Sequence, residues 1–95
     1  MTKILFAKTA AAHLREQAQY IYEQTQSPKL ADAYLDGMQH FIKETLSHFP
    51  KSGRPTPELG HGTRKLVYQG YSIIYKIADE HIEILTIFRE NLPKL

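Results

Sequence analysis

The chain has no cysteine. Disulfides and thiolate-based metal sites are thereby excluded, and a reducing compartment fits. Long apolar runs are missing too: nothing approaches the ~20 residues that span a bilayer as a helix. The opening Met1-Thr2-Lys3 leads into Ile4-Leu5-Phe6 and then polar sequence, too short an apolar segment for a secretion signal. A cytoplasmic protein is expected. No glycine-rich phosphate loop is present, because Gly60-His61-Gly62 lacks both the spacing and the lysine of such a loop. There is no internal repeat and no low-complexity segment. Nor does charge of one sign dominate: the formal net charge is +2, which alone argues for no partner.

What is present is an ordinary globular composition in 95 residues, expected to form a single domain over 1–95. A domain of this size buries only about 60–65% of its unfolded surface, so its core is limited and a partner often adds stability. Between Lys51 and Lys94 the bases are Lys51, Arg54, Arg64, Lys65, Lys76, Arg89 and Lys94, against Glu58, Asp79, Glu80, Glu83 and Glu90. Two of those acids share one turn, so the C-terminal half is expected to present a mildly basic face.

The periodicity divides the chain. Residues 3–7 read as a short strand. Thr9 is the expected N-cap of a helix over 10–24, with Ala11, Leu14, Ala18, Ile21, Tyr22 and Thr25 on one face. Ser27-Pro28 pairs a capping hydroxyl with a residue suited to the first helical position. It opens a second helix running to about Phe49, whose stripe is Leu30, Tyr34, Leu35, Met38, Phe41, Ile42, Thr45, Leu46 and Phe49. The two stripes predict a helical hairpin. Residues 50–62, rich in proline and glycine, read as a long ordered loop. Strands are expected over 63–68, 71–77 and 82–88, with turns at Gln69-Gly70 and 78–81. In the last strand Ile84, Thr86 and Phe88 fall on one face and Leu85 and Ile87 on the other. With both faces apolar, it belongs inside the sheet. The predicted class is α+β, order β-α-α-β-β-β.

Three segments carry a resemblance: Phe49-Pro50-Lys51-Ser52-Gly53-Arg54-Pro55 leaving the second helix, Gly62-Thr63-Arg64-Lys65-Leu66 entering the sheet, and Tyr71-Ser72-Ile73-Ile74-Tyr75-Lys76-Ile77 with an acidic turn and Ile82-Glu83-Ile84-Leu85. In this order they make the chain similar to the RelE/ParE toxin superfamily. The resemblance implies a helical hairpin packed on a small twisted antiparallel sheet. It also implies a toxin neutralised by a co-encoded antitoxin, part of which is disordered alone and wraps the toxin. DNA would be contacted only through the antitoxin complex, and no membrane is involved.

The superfamily branches, and the residues weigh on the choice. RelE-like members cut messenger RNA on the ribosome, which requires an acid or base and converging cations. Those relatives usually carry an arginine directly after the position of Tyr71, where this chain has Ser72. They also tend to end the last strand on a histidine or tyrosine, where this chain reads Phe88-Arg89-Glu90. The departures favour the ParE-like branch, which poisons DNA gyrase by binding, with no catalytic residue, cofactor or metal implied. Arg64, Lys65 and Arg89 are the candidate target contacts, with Asn91-Leu92-Pro93-Lys94-Leu95 beside them. The alternative is a ribosome-dependent ribonuclease with Lys51, Arg54, Arg64 and Arg89 around a phosphate. A third reading is a toxin-like domain kept as an interaction module. The bland role for Arg64 is a fork tying the loop to the sheet or to a carboxylate such as Glu58. Tyr71 and Tyr75 are expected beneath the helices with hydroxyls at the rim. His40, Glu44 and His48 share a helix face, which reads as solvated before it reads as a metal site.

Overall fold

The computed structural model describes residues 3–89. β1 (Lys3–Phe6) turns Ile4 and Phe6 towards the interior and leaves Leu5 exposed. It runs parallel to β5 (His81–Arg89), with Lys3 opposite His81 and Phe6 opposite Ile84. The Ala7 N–H extends that ladder by donating to the Ile84 carbonyl at 2.9 Å.

α1 (Lys8–Thr25) follows at once. Its N-cap is Ala7, extended and without a side-chain cap, not Thr9, which lies inside the first turn. The parallel ladder explains the difference. It holds Ala7 extended while the Ala7 carbonyl accepts from the Ala11 N–H at 2.9 Å, so helical bonding starts before the sequence cue. Gln26 closes α1 in the left-handed region (φ 55°), its N–H donating to the Tyr22 carbonyl. α2 (Pro28–His48) begins as expected: Ser27 accepts from the Leu30 N–H at 3.2 Å, and Pro28 takes the first position.

The inward faces are narrower than the sequence stripes. Ala10 and Leu14 of α1, and Ala31, Met38, Ile42 and Leu46 of α2, are buried, while Tyr22, Leu30 and Phe49 are exposed. Leu30 and Phe49 lie at the two ends of α2, and Tyr22 lines the open groove between the helices.

The sheet has five strands in the order β1-β5-β4-β3-β2, where β2 is Arg54–Pro55, β3 is Thr63–Tyr68 and β4 is Tyr71–Ile77. It is antiparallel except for the β1–β5 pair, and therefore mixed. β2 arises inside the segment read as loop, which also holds a 3-10 turn at Pro57–Leu59. Only Arg54 and Pro55 pair, opposite Lys65 and Arg64, at the edge where proline's missing N–H is tolerated. Gln69 and Gly70 both have positive φ (47° and 86°), the requirement of a two-residue hairpin turn whose twist matches its strands.

β5 lies inside the sheet, as its apolar faces predict, and β4 occupies the middle, with Tyr71, Ser72, Ile73, Ile74 and Tyr75 all buried. A bulge interrupts β5: Ile74 pairs with Thr86 and Tyr75 with Ile84, leaving Leu85 extra. Strict alternation is thereby broken, so Ile82, Ile84 and Ile87 all join the core, and Ile84 does not keep the face expected from Thr86 and Phe88. At the bulge, His13 Nδ1 lies 2.8 Å from Thr86 Oγ1 and accepts from the Ile87 N–H at 3.4 Å. The helices and one face of the sheet thus enclose a core of Leu14, Met38, Ile42, Leu46, Leu66, Ile73, Tyr75, Ile82, Ile84 and Ile87.

Candidate target-binding surface

Arg64 stands on β3 between Pro55 and Tyr75. It shares the helix-facing side with Leu66, because successive strand residues alternate. Its Nη1 donates to the main-chain oxygens of Gly53 at 2.6 Å and Lys51 at 3.3 Å. The buried Tyr75 hydroxyl donates to the Pro50 carbonyl at 2.8 Å and accepts from the Gly53 N–H at 3.0 Å. Burial pushes the Tyr75 phenol up, while the Gly53 N–H and the Arg64 guanidinium pull the other way. The phenol is raised overall and stays a donor at neutral pH. Gly53 is required here: a Cβ would stand 2.7 Å from the Lys65 carbonyl and 2.8 Å from the Tyr75 ring and hydroxyl. Next along the loop, the buried Thr56 and Thr63 hydroxyls sit 2.8 Å apart. The segment leaving α2 is therefore fastened to the sheet by Arg64 and Tyr75, the tie considered from sequence. The carboxylate version of that tie does not form: among the described residues Glu58 makes no ion pair with Arg64.

Arg89 sits elsewhere. Its guanidinium carbon stands 3.8 Å from the centre of the Tyr20 ring, a cation–π contact. Its strand partner is Tyr71, whose hydroxyl donates to Gln17 Oε1 at 2.9 Å. Tyr34 lies edge-on to Tyr68 and tilted against Tyr71, with centroids 6.1 and 5.6 Å apart, and Phe41 packs on Tyr68 at 4.9 Å. Burial pushes the Tyr34 phenol up to about 12, with Tyr71 and Tyr68 adding and Arg89 opposing. The phenol of Tyr71 is also raised by burial, against the pull of Arg89.

The candidate cations do not converge. Arg64 and Arg89 pair with Tyr75 and Tyr71. Four residues along a strand separate those partners by about 13 Å. Lys65 alternates with Arg64 and Leu66, so it lies on the sheet face turned from the core, in register with Arg54 and Ile74. Of the four residues in the ribonuclease alternative, Lys51 and Arg64 meet only through the Lys51 carbonyl, Arg54 is on the far face, and Arg89 is at the aromatic corner. Ser72, the residue directly after Tyr71, is buried. His48 Nδ1 is 2.9 Å from the Glu44 carbonyl and 3.7 Å from its carboxylate. Among the described residues no three His, Asp or Glu side chains form a metal-holding group. Asn91, Leu92, Pro93, Lys94 and Leu95 lie outside the described residues. No described helix is long and apolar enough to cross a membrane.

Sequence pattern alone does not reach Tyr20 and Gln17 as partners for Arg89 and Tyr71. They lie far away in the chain, and nothing in their local pattern marks them.

Comparison with known proteins places the chain. The family described as "ParE toxin of type II toxin-antitoxin system, parDE" matches residues 4–91. Among solved structures, a chain of the chromosomal ParDE TA system from P. aeruginosa is similar over 96% of this chain and 98% of its own, at 22% identity and a TM-score of 0.78. A chain of the toxin–antitoxin complex RelBE2 from Mycobacterium tuberculosis is similar over 94% of this chain and 91% of its own, at 26% identity and a TM-score of 0.68. No curated protein sequence matches the chain.

Proposed function

We propose that this chain, which belongs to the ParE toxin family of type II toxin–antitoxin systems, acts in the cytoplasm by binding and inhibiting DNA gyrase. A co-encoded antitoxin releases that inhibition by wrapping the toxin. The family supports the target. The dispersal of the cations is the observation that carries the binding reading. Phosphoryl transfer to a ribose hydroxyl requires several positive groups and a proton acceptor at one point. Here Arg64 is spent on main-chain oxygens, Arg54 and Arg89 lie apart, and Ser72 is buried. A surface that binds without chemistry has no such requirement.

Within this reading the candidate residues divide their work. Arg64 positions the loop that leaves α2. Arg89 offers charge at the edge of the aromatic corner. Lys65 adds to the basic far face beside Arg54. The antitoxin has a groove available between α1 and α2, about 360 Å³ in volume and lined by Ala18, Tyr22, Ala31 and Leu35 with Arg15 and Asp32. An amphipathic helix fits such a site. That the two solved relatives come from toxin–antitoxin complexes supports this partner.

The test is a supercoiling assay with purified toxin. Inhibition at micromolar toxin, relieved by the co-encoded antitoxin, is expected. Unaffected gyrase together with cut messages on translating ribosomes would replace this reading with the ribonuclease one.

A further inference from the structure

Among the described residues Phe49 is the most exposed large apolar side chain, at 68%. It stands where α2 ends, stacked loosely against His48 with ring centres 6.4 Å apart. It also forms one wall of a shallow depression of about 530 Å³, completed by His48, Pro50, Lys51 and Ser52. A single phenyl ring left in water is ordinary in itself, and what sets this one apart is the chain that presents it. Here the chain is not loose. The Phe49 N–H donates to the Thr45 carbonyl at 2.7 Å, and the Ser52 N–H returns to the Phe49 carbonyl at 3.0 Å. The carbonyls of Pro50, Lys51 and Gly53 are held by Tyr75 and Arg64. Every one of these bonds fixes the backbone that presents the ring.

We propose that this elbow, residues 48–52, is the anchor with which the toxin grips the folded protein it inhibits. The matching surface on that protein is an apolar contact for Phe49 with carboxylates at its edge. This rests on the reading of the protein as a binding inhibitor.

The occupant follows from three features. First, the elbow 48–52 carries Lys51 and no acidic residue of its own, the neighbouring Glu44 carboxylate lying towards His48, so a carboxylate beside the apolar contact is complementary. Second, the carbonyls of Phe49, Pro50, Lys51 and Gly53 already accept bonds from within the chain. An extended segment adding itself as a strand needs free main-chain groups, and the elbow offers side chains instead. That favours a preformed pocket on a folded partner over a disordered wrapping segment, for which the interhelical groove is better shaped. Third, the loop is ordered before it binds. The entropy of fixing it is lost during folding and not again on association. A fixed aromatic ring at the centre of a contact is the usual form of an energetic hot spot.

The test compares wild-type toxin with Phe49→Ala, Phe49→Leu and Lys51→Glu, in gyrase supercoiling and in growth arrest on induction, with melting temperatures measured alongside. Because Phe49 is exposed, Phe49→Ala keeps the wild-type melting temperature. It is expected to raise the inhibiting concentration on the order of tenfold to a hundredfold, the equivalent of one buried aromatic contact. Phe49→Leu restores most of the potency, and Lys51→Glu weakens inhibition with a dependence on salt. Phe49→Ala inhibiting gyrase at the wild-type concentration overturns the proposal and leaves gyrase as the target. Wild-type toxin that arrests growth while gyrase is untouched removes gyrase. The elbow then stands if Phe49→Ala abolishes arrest and falls if arrest persists.

Discussion

Replacing Tyr75 by phenylalanine removes one oxygen atom from a side chain that is otherwise unchanged and fully buried. That oxygen holds the Gly53 N–H at 3.0 Å and the Pro50 carbonyl at 2.8 Å, and it also bonds the Ser52 side chain. Gly53 is itself buried, so its orphaned N–H loses about 1–3 kcal/mol. The Pro50 carbonyl is partly accessible and can turn to water, which limits its loss to about 0.5–1 kcal/mol. Ser52 is exposed and turns to water, so the loss is about 1.5–4 kcal/mol out of the 5–15 kcal/mol typical of a folded domain. At about 4–8 °C per kcal/mol for a chain of this size, the melting temperature should fall by about 6–30 °C. Thermal and urea unfolding measure it, and the urea slope should stay constant because the buried area does not change. Arg64→Ala frees the Lys51 and Gly53 carbonyls of the same segment. The double variant should therefore lose less than the sum of the singles, since a loop released once has little left to lose. A Tyr75→Phe loss under about 1 kcal/mol, or strict additivity with Arg64→Ala, would refute the idea that these side chains jointly fasten the loop.

Other expectations are simpler. Ser27→Ala removes the α2 cap and should cost about 1 kcal/mol in urea unfolding. Gly53→Ala should destabilise by at least about 1–3 kcal/mol, because one obstacle is the Lys65 main-chain oxygen, which cannot swing aside. At high pH the Tyr34 phenol, raised from 10.0 to about 12, makes stability fall. The contribution is whole below pH 10, where the phenol is neutral folded or unfolded. It is lost as pH rises towards about 12, because the unfolded phenol ionises first. Absorbance titration should find late-titrating tyrosines, with one fewer in Tyr34→Phe. In Arg89→Ala both Tyr34 and Tyr71 should titrate later still, since Arg89 opposes the shift of each.

Much of the fold can be read along the chain because its signals are local. Ser27-Pro28, the Gln69-Gly70 turn and the period-two strands depend on neighbours a few residues away. The misreadings have non-local causes. Thr9 looks like a cap, but a parallel ladder to β5 starts the helix earlier. Alternation in β5 fails at Leu85 because the bulge is defined by pairing with β4. The site shows the same limit. Arg64, Lys65 and Arg89 are identifiable as cations, yet their sequence neighbours do not reveal that one ties a loop, one faces away from the core, and one lies over Tyr20. The loop from Pro50 to Gly62 announces itself by composition, while its β2 pairing and the grip of Tyr75 on it do not.

The decisive measurement is plasmid supercoiling by purified gyrase in the presence of purified toxin, with messenger RNA integrity on translating ribosomes followed in parallel. A toxin that acts by binding gyrase should stop supercoiling at micromolar concentration and leave the messages whole. Supercoiling at the full rate beside cleaved messages would contradict it.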